Sequence, residues 1–333
     1  MRNITTIGAL VITAALAFGA QNARADGIPG KLLAEGRIDD AIVALQGKIN
    51  SGADVAESYN MLCRAYYLLE KWDAGISACQ KAVQLEPSKS AYHLWLGRLY
   101  GGKADHTSFI TAASLAGNVR NEFETAVRLD PKSVNARADL ADFYIEAPGI
   151  VGGGKDKAAV QAREMGKVEP AQELMVTAKI AEKNKDLRAA EAGYRKAIEV
   201  SGGQAGPWLA LANFYRRNGR YPEMEEAVTH ATDPKLDRPD MLVEAAQVLI
   251  NAGRNFPGAM ELLQRYIHSE STVEDAPVFK AHYLLGVVME KQGNMAGAAE
   301  EYRAALSLAR DYSLARTALN RVQKGPGRPS NGG

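Results

Sequence analysis

The sequence predicts an all-α protein built from stacked helical hairpins. Small and large apolar residues recur together at intervals of about 34 residues, which is the spacing of a helix-turn-helix repeat. Alanine is abundant, and beyond the N-terminal segment no run of Val, Ile and Thr alternates with a period of two. Such a composition favours helices over strands.

The clearest copy of the repeat covers residues 56–89. Counted from Ala56 as position 1, its characteristic residues occupy positions 4, 7, 11, 27 and 32, which are Tyr59, Leu62, Tyr66, Ala82 and Pro87. This pattern resembles the tetratricopeptide repeat, with Cys63 where glycine is usual and Cys79 where an aromatic residue is usual. The resemblance implies a solenoid of tetratricopeptide-type helical hairpins, wound as a right-handed superhelix of about seven repeats with capping helices.

The residue types have a physical purpose in such a fold. Gly or Ala at positions 8, 20 and 27 allows two helix backbones to approach closely, while large residues at positions 4, 7, 11 and 24 fill the space between hairpins. Proline near position 32 ends the second helix. We expect Gly219 and Gly293 in the tight turns between the helices of their repeats.

The N-terminus has the features of an export signal. Arg2 supplies a positive charge, residues 4–20 are almost wholly apolar or small, and Ala23 and Ala25 flank Arg24 in a small-x-small pattern. We therefore expect cleavage after Ala25 and a periplasmic or secreted protein with no direct membrane insertion after cleavage. A retained membrane anchor is the alternative, although the apolar segment is short for a bilayer span.

The repeats divide the chain into predicted segments. A signal peptide at 1–25 precedes a partial repeat or cap at 26–55, and a capping helix at 313–323 precedes a disordered tail at 324–333. The solenoid covers 56–323, and its seven repeats are approximately 56–89, 90–133, 134–170, 171–204, 205–238, 239–273 and 279–312.

Two adjacent repeats carry extra residues between their helices. The insertions cover about 101–115 and 147–155, and we expect both to project from one edge of the solenoid. Inserted loops are a frequent location of binding specificity. A tolerated surface insertion, or a segment that packs on its neighbour, is equally compatible with the pattern.

Cys63 and Cys79 are the two cysteines of the chain. They fall on opposite helices of one predicted hairpin, nearly equidistant from its turn near Lys71. In an oxidising compartment this placement favours a disulfide. Two buried thiols that fill core positions are the alternative.

No catalytic or cofactor-binding pattern is recognisable in the sequence. Its histidines show no metal-ligand spacing, and we predict no enzyme activity, no cofactor and no metal. Residues 149–156 match G-x-x-x-x-G-K, but Asp156 stands where a magnesium-binding Ser or Thr is required. Lys and Arg number 40 against 39 Asp and Glu, a balance that argues against nucleic acid as a partner.

A protein or peptide is therefore the expected partner. In a solenoid, the first helices of the repeats line a concave groove, to which positions 2, 5, 9, 12 and 13 point. The candidate groove residues are Asn60, Arg64, Tyr67, Leu94, Arg98, Asp142, Lys179, Asn213 and Arg216. Arg64 and Arg98 are equivalent in consecutive repeats and should be neighbours able to hold a carboxylate. An ordinary solvated face with internal ion pairs is the alternative.

These features favour a non-enzymatic interaction scaffold of the bacterial envelope that docks a partner segment in the groove. An assembly factor for an envelope complex, of the cytochrome-maturation or secretion type, is a second hypothesis. A glycan-binding or hydrolytic protein that uses the insertions is a third, from a different class.

Overall fold

The computed structural model describes residues 27–236 and 238–324, and the regular secondary structure of this part of the chain is entirely helical. It contains short 3-10 helices at Gly149–Val151 and Pro234–Leu236 and no strand. The predicted signal peptide, most of the predicted tail and Asp237 lie outside the described residues. The α-helices are α1 Gly27–Ala34, α2 Ile38–Ser51, α3 Val55–Leu68, α4 Trp72–Leu85, α5 Ser90–Asp105, α6 Phe109–Leu129, α7 Val134–Glu146, α8 Lys155–Gly166, α9 Pro170–Lys183, α10 Leu187–Val200, α11 Ala205–Arg217, α12 Tyr221–Ala231, α13 Asp240–Ala252, α14 Phe256–Ile267, α15 Val278–Lys291, α16 Met295–Leu308 and α17 Ser313–Lys324. The predicted all-α class is confirmed.

Neighbouring helices pack as hairpins, with α5 against α6, α11 against α12 and α15 against α16. Small residues allow this close approach, as the sequence predicts. A Cβ added to Gly97 would lie 2.5 Å from the Phe123 ring, and one added to Gly286 would lie 2.6 Å from the Tyr302 ring. Glycine at these equivalent positions therefore leaves room for an aromatic ring of the partner helix.

Two glycines close tight turns between paired helices. Gly219 lies between α11 and α12 with a φ of 71°, and Gly293 lies between α15 and α16 with a φ of 82°. These left-handed conformations carry little cost for glycine because it has no Cβ.

The chain forms two compact units. The first comprises Asp54–Tyr67 and Lys71–Ala197. Its core contains Phe123, Phe143 and Met165, all within 1% of complete burial, contributed by α6, α7 and α8.

The second unit joins both ends of the described chain. It contains α1 and α2, the short segment Leu68–Glu70 and the chain from Ile198 onward. Its core includes an edge-on contact between Phe279 and Tyr312, whose ring centres are 5.0 Å apart. The backbone nitrogen of Arg310 donates a 3.1 Å hydrogen bond to Asp39, so α2 contacts the chain that follows α16.

Candidate functional site

The first helices of the hairpins are α3, α5, α7 and α9 in the first unit and α11, α13 and α15 in the second. Within each unit, the exposed side of these helices is called here the groove face. From α3 to α5 and from α5 to α7, the residue at position 9 contacts the residue at position 6 of the next first helix. The Arg64 guanidinium lies 5.6 Å from the centre of the Trp95 ring, and Arg98 donates a 2.6 Å hydrogen bond to Asp139.

Arg98 and Asp139 form a buried ion pair. Their side chains are 4% and 2% exposed. Each ion compensates for the hydration that the other has lost, so neither charge could be left alone without a large cost. Arg98 is thus held by its own protein rather than presented as an open donor. This agrees with the alternative of internal ion pairs, except that the pair is buried rather than solvated.

An aromatic cluster adjoins this pair. The Arg98 guanidinium also lies 4.7 Å from the Trp95 ring centre, and the Tyr67 ring packs edge-on against Trp95 at 5.6 Å. Trp95 is buried, whereas Arg64 and Tyr67 remain partly exposed. Arg64 and Arg98 therefore both contact one indole ring. Of the residues in this cluster, Arg64 and Tyr67 retain accessible surface.

A network of charges links α7 to α9. Lys179 lies 2.8 Å from Asp142 and 3.6 Å from Glu146, and Lys183 lies 2.6 Å from Glu146. Burial raises the pKa of Asp142, and the neighbouring Lys179 opposes that rise. The candidates Asp142 and Lys179 are brought together, and each neutralises much of the other's charge.

Two further candidates are mostly enclosed by protein. Leu94 belongs to the buried core of the first unit. Asn60 is 3% exposed, its amide donates a 3.4 Å hydrogen bond to Glu57, and its Oδ1 has no partner among the described residues. Both therefore contribute little accessible surface to the groove face.

The remaining candidates belong to the second unit. Arg216 donates a 3.3 Å hydrogen bond to Asn213 within α11, and both side chains are partly exposed. The candidates therefore differ between the two units: those of the first unit form ion pairs, and those of the second are an arginine and the amide to which it donates.

Sequence reasoning missed Trp95 and Asp139. Both stand at position 6, which was not counted among the groove positions. The signal that could have found Asp139 is a carboxylate at position 6 in the repeat that follows an arginine at position 9.

The first insertion extends two helices. Residues up to Asp105 continue α5, and α6 begins at Phe109, so only a short turn separates them. A Cβ on Gly102 would collide with the Trp72 ring, and Lys103 pairs with Asp73. The lengthened α5 is therefore packed against α4 rather than loose.

The second insertion forms a compact turn. The amide of Gly154 donates a 2.8 Å hydrogen bond to the carbonyl of Tyr144. A Cβ on Gly153 would collide with the Ala147 carbonyl, and Gly152 has a φ of 102°. The glycines that resemble a nucleotide-binding motif are thus explained by the backbone conformation and the close packing of this turn.

Both insertions expose apolar side chains. Phe109 and Ile110 at the start of α6 are 66% and 81% exposed, and Ile150 in the second insertion is 95% exposed.

Cys63 and Cys79 face each other across the α3–α4 hairpin. Their Cα atoms are 5.1 Å apart and their sulfur atoms are in bonding contact. Both residues are fully buried. This placement suits a disulfide.

The described residues contain no group of three or more His, Cys, Asp or Glu side chains placed to hold a metal ion. Within the same residues, no helix combines the length and the apolar character needed to cross a bilayer.

Comparison with known proteins supports the repeat assignment. Residues 243–313 match the family model described as tetratricopeptide repeat. No curated protein sequence matches the chain.

Solved structures align with most of this chain, and the fold of one of them, yeast Tom70, is similar. Yeast Tom70 aligns with a TM-score of 0.51 and 14% identity, over 95% of this chain and 68% of that one. A tetratricopeptide repeat protein from Parabacteroides merdae gives a TM-score of 0.41 and 15% identity, over 86% and 99% of the two chains. A chain of the APC/C hetero-tetramer Cut9-Hcn1 gives 0.40 and 10%, over 88% of this chain, which spans about half (54%) of that one.

The matched repeat sequence, the glycine-to-aromatic packing inside the hairpins and the wholly helical structure agree with one another. Residues 243–313 therefore carry tetratricopeptide-repeat sequence, and the described residues have the helical-hairpin fold of such repeats.

Proposed function

We propose that this protein is a non-enzymatic scaffold of the bacterial envelope that binds an extended or helical segment of a partner protein on its groove face. Tetratricopeptide repeats are in general protein–protein interaction modules, and solenoids use the surface lined by their first helices for binding. The observation that carries the proposal is the partly exposed pair Arg64 and Tyr67, which rests on the buried Trp95.

This pair has the character of a binding hot spot. Aromatic rings and arginine are enriched where partners bind most tightly, because they combine apolar contact with a polar group. The Trp95 ring and the buried Arg98–Asp139 pair below hold them in place. A partner that covers Arg64 and Tyr67 therefore meets a surface already ordered, which lowers the entropic cost of binding.

Site-specific photocrosslinking in cells that express the protein tests this proposal. A photoreactive phenylalanine analogue replaces Tyr67 on the groove face, and in a matched control it replaces Arg188, which is exposed on the second helix α10. We expect a discrete crosslinked partner from position 67 and none from position 188. The same crosslinks from both positions, or none from position 67, would remove the groove face from consideration.

The envelope location rests on the apolar N-terminal segment and the small-x-small pattern around Arg24. N-terminal sequencing of the protein recovered from a periplasmic extract should begin at Asp26. Recovery of the intact N-terminus in the cytoplasmic fraction would contradict it. A role in assembling an envelope complex would differ from this proposal only in the partner, which the crosslinked protein identifies.

A further inference from the structure

Glu244 is a carboxylate on the groove face of the second unit that has no hydrogen bond or close ion pair among the described residues. It stands at position 6 of its repeat, on α13, and part of its surface stays exposed. Asp240, one helical turn earlier, is already engaged by Arg238 through hydrogen bonds of 2.9 and 2.6 Å. Arg238 therefore cannot serve Glu244 as a close partner in the same way.

The first unit shows what satisfies a carboxylate at this position. Asp139 also stands at position 6, and it receives the Arg98 guanidinium from position 9 of the preceding first helix. In the second unit, α11 precedes α13 and packs against it. Its position 9 carries Asn213, whose neutral amide cannot supply the missing charge.

The surroundings of Glu244 make an unpaired negative charge on its side chain unfavourable. Burial raises the pKa of Glu244 to about 7, the negative charge of Asp240 adds to that rise, and Arg238 only partly opposes it. A carboxylate in such a site gains more from a cation than one in water would, because the surrounding protein screens the attraction weakly.

We infer that Glu244 is the receptor for a basic side chain, an arginine or a lysine, that the bound partner segment inserts between α11 and α13. This inference rests on the proposed function and specifies the chemistry of the partner. The inserted guanidinium or ammonium takes the place that Arg98 takes beside Asp139.

Peptide selection tests the inference. A random peptide library displayed on phage is selected on the full chain, on Glu244→Gln and on Glu261→Gln. Glu261 is an exposed residue of α14, so its substitution makes the same change of charge away from the groove face. Affinities of the selected peptides, and of versions with each basic residue changed to alanine, are then measured.

We expect the wild type and Glu261→Gln to select peptides that share one basic residue. Its change to alanine should lower affinity about tenfold, which is the size of a charge-assisted hydrogen bond. Glu244→Gln should lower the affinity of the basic peptide by a similar factor and leave that of the alanine version unchanged. Peptides without a shared basic residue, or affinities indifferent to Glu244→Gln, would overturn the inference and leave the groove proposal intact. Selection of no peptide by any variant would count against both.

Asn213→Arg provides an independent check that needs no partner. It places an arginine where Arg98 stands in the first unit, and we expect it to block the basic peptide and to raise the unfolding midpoint. The gain should disappear when Glu244→Gln is added. A gain that survives Glu244→Gln would show that the two positions do not meet, and it would overturn the inference.

Discussion

Charged residues on the groove face of the first unit mainly hold the protein together. Arg98 is paired with Asp139, and Lys179 is shared between Asp142 and Glu146. Buried pairs of this kind contribute little net stability compared with apolar residues, but losing one member leaves an uncompensated charge. Substitutions that remove a single charge should therefore act on folding before they act on binding.

Arg98→Met should be strongly destabilising. It strands Asp139, whose side chain is 2% exposed, and the expected loss in the free energy of unfolding is about 3–5 kcal/mol. The double variant Arg98→Met/Asp139→Leu should recover most of that loss, because no buried charge remains. Urea unfolding followed by circular dichroism measures both. A single variant that unfolds within about 1 kcal/mol of the wild type would contradict the pairing.

His93 should make stability depend on pH. Its Nδ1 lies 2.6 Å from Glu122 and its Nε2 lies 2.9 Å from the Pro87 carbonyl, so the doubly protonated ring donates to both. The hydrogen bond to Glu122 is the main cause that raises the pKa of His93, and burial opposes it. A raised pKa means that the stabilising contribution is complete below the unfolded-state pKa of about 6.5 and is lost as the pH rises through the folded-state pKa.

The measurement compares the unfolding midpoint of the wild type and His93→Gln from pH 5 to pH 9. We expect the advantage of the wild type to be largest at acid pH and to shrink as the pH rises. His268→Gln, at an exposed histidine of the second unit, serves as the control and should run parallel to the wild type. An advantage that grows with pH would show that the ring is held neutral.

The sequence predicts well which residues pack between helices, but it predicts less well which charged residues form ion pairs. A small residue is predicted at position 8, where two helices approach closely, and Gly97 stands there because size alone decides that position. Large residues at position 24 are predicted to fill the space between hairpins, but Phe123 at that position packs against Gly97 of its own hairpin. For Arg98 the sequence leaves both an open groove and an internal ion pair, because the repeat pattern gives the direction of a side chain but says nothing of the residue opposite. Only the register of α5 against α7 identifies Asp139 as that residue.

At the scale of helices, the insertions show a similar limit of what the sequence can predict. The spacing between the repeat positions correctly counts extra residues in 101–115, but it cannot distinguish a loop from longer helices. Packing decides the outcome, since Trp72 lies on Gly102 and holds the end of α5 against α4. A contact between a histidine and a glutamate also recurs in two repeats. His282 lies 2.7 Å from Glu301 and repeats the His93–Glu122 contact at equivalent positions.

The α3–α4 hairpin should carry a disulfide in the protein purified without reductant. Cys63 and Cys79 are 16 residues apart in sequence, and closing a loop of that length is worth about 3 kcal/mol in the chain-entropy model. Alkylation of this protein after denaturation should add no mass without reductant and two adducts with it. The double variant Cys63→Ala/Cys79→Ala should unfold earlier than the oxidised protein. Two adducts without reductant would show that the cysteines remain buried thiols.

At the scale of the whole molecule, the two units do not follow the linear order of the repeats. The sequence predicts an N-terminal cap on the repeat beginning at residue 56, because neighbouring repeats normally stack in chain order. The structure groups α1 and α2 with the C-terminal helices instead. Contacts between residues as distant as Asp39 and Arg310 leave no periodic signal in the sequence, so no repeat pattern could reveal them.

Gly36→Ala should therefore weaken the C-terminal helices although it lies near the N-terminus. Gly36 has a φ of 73°, and a Cβ there would lie 2.8 Å from the backbone nitrogen of Val278 at the start of α15. Both the left-handed conformation and the clash oppose alanine, so the free energy of unfolding of this unit should fall by more than about 1 kcal/mol.

Hydrogen exchange should show lower protection in α15 as well as in α2, because the two belong to one unit. Gly47→Ala, at an exposed helical glycine with open space around it, is the matched control and should leave α15 unchanged. Loss of protection confined to α1 and α2 would mean that these helices open independently of the C-terminal repeats.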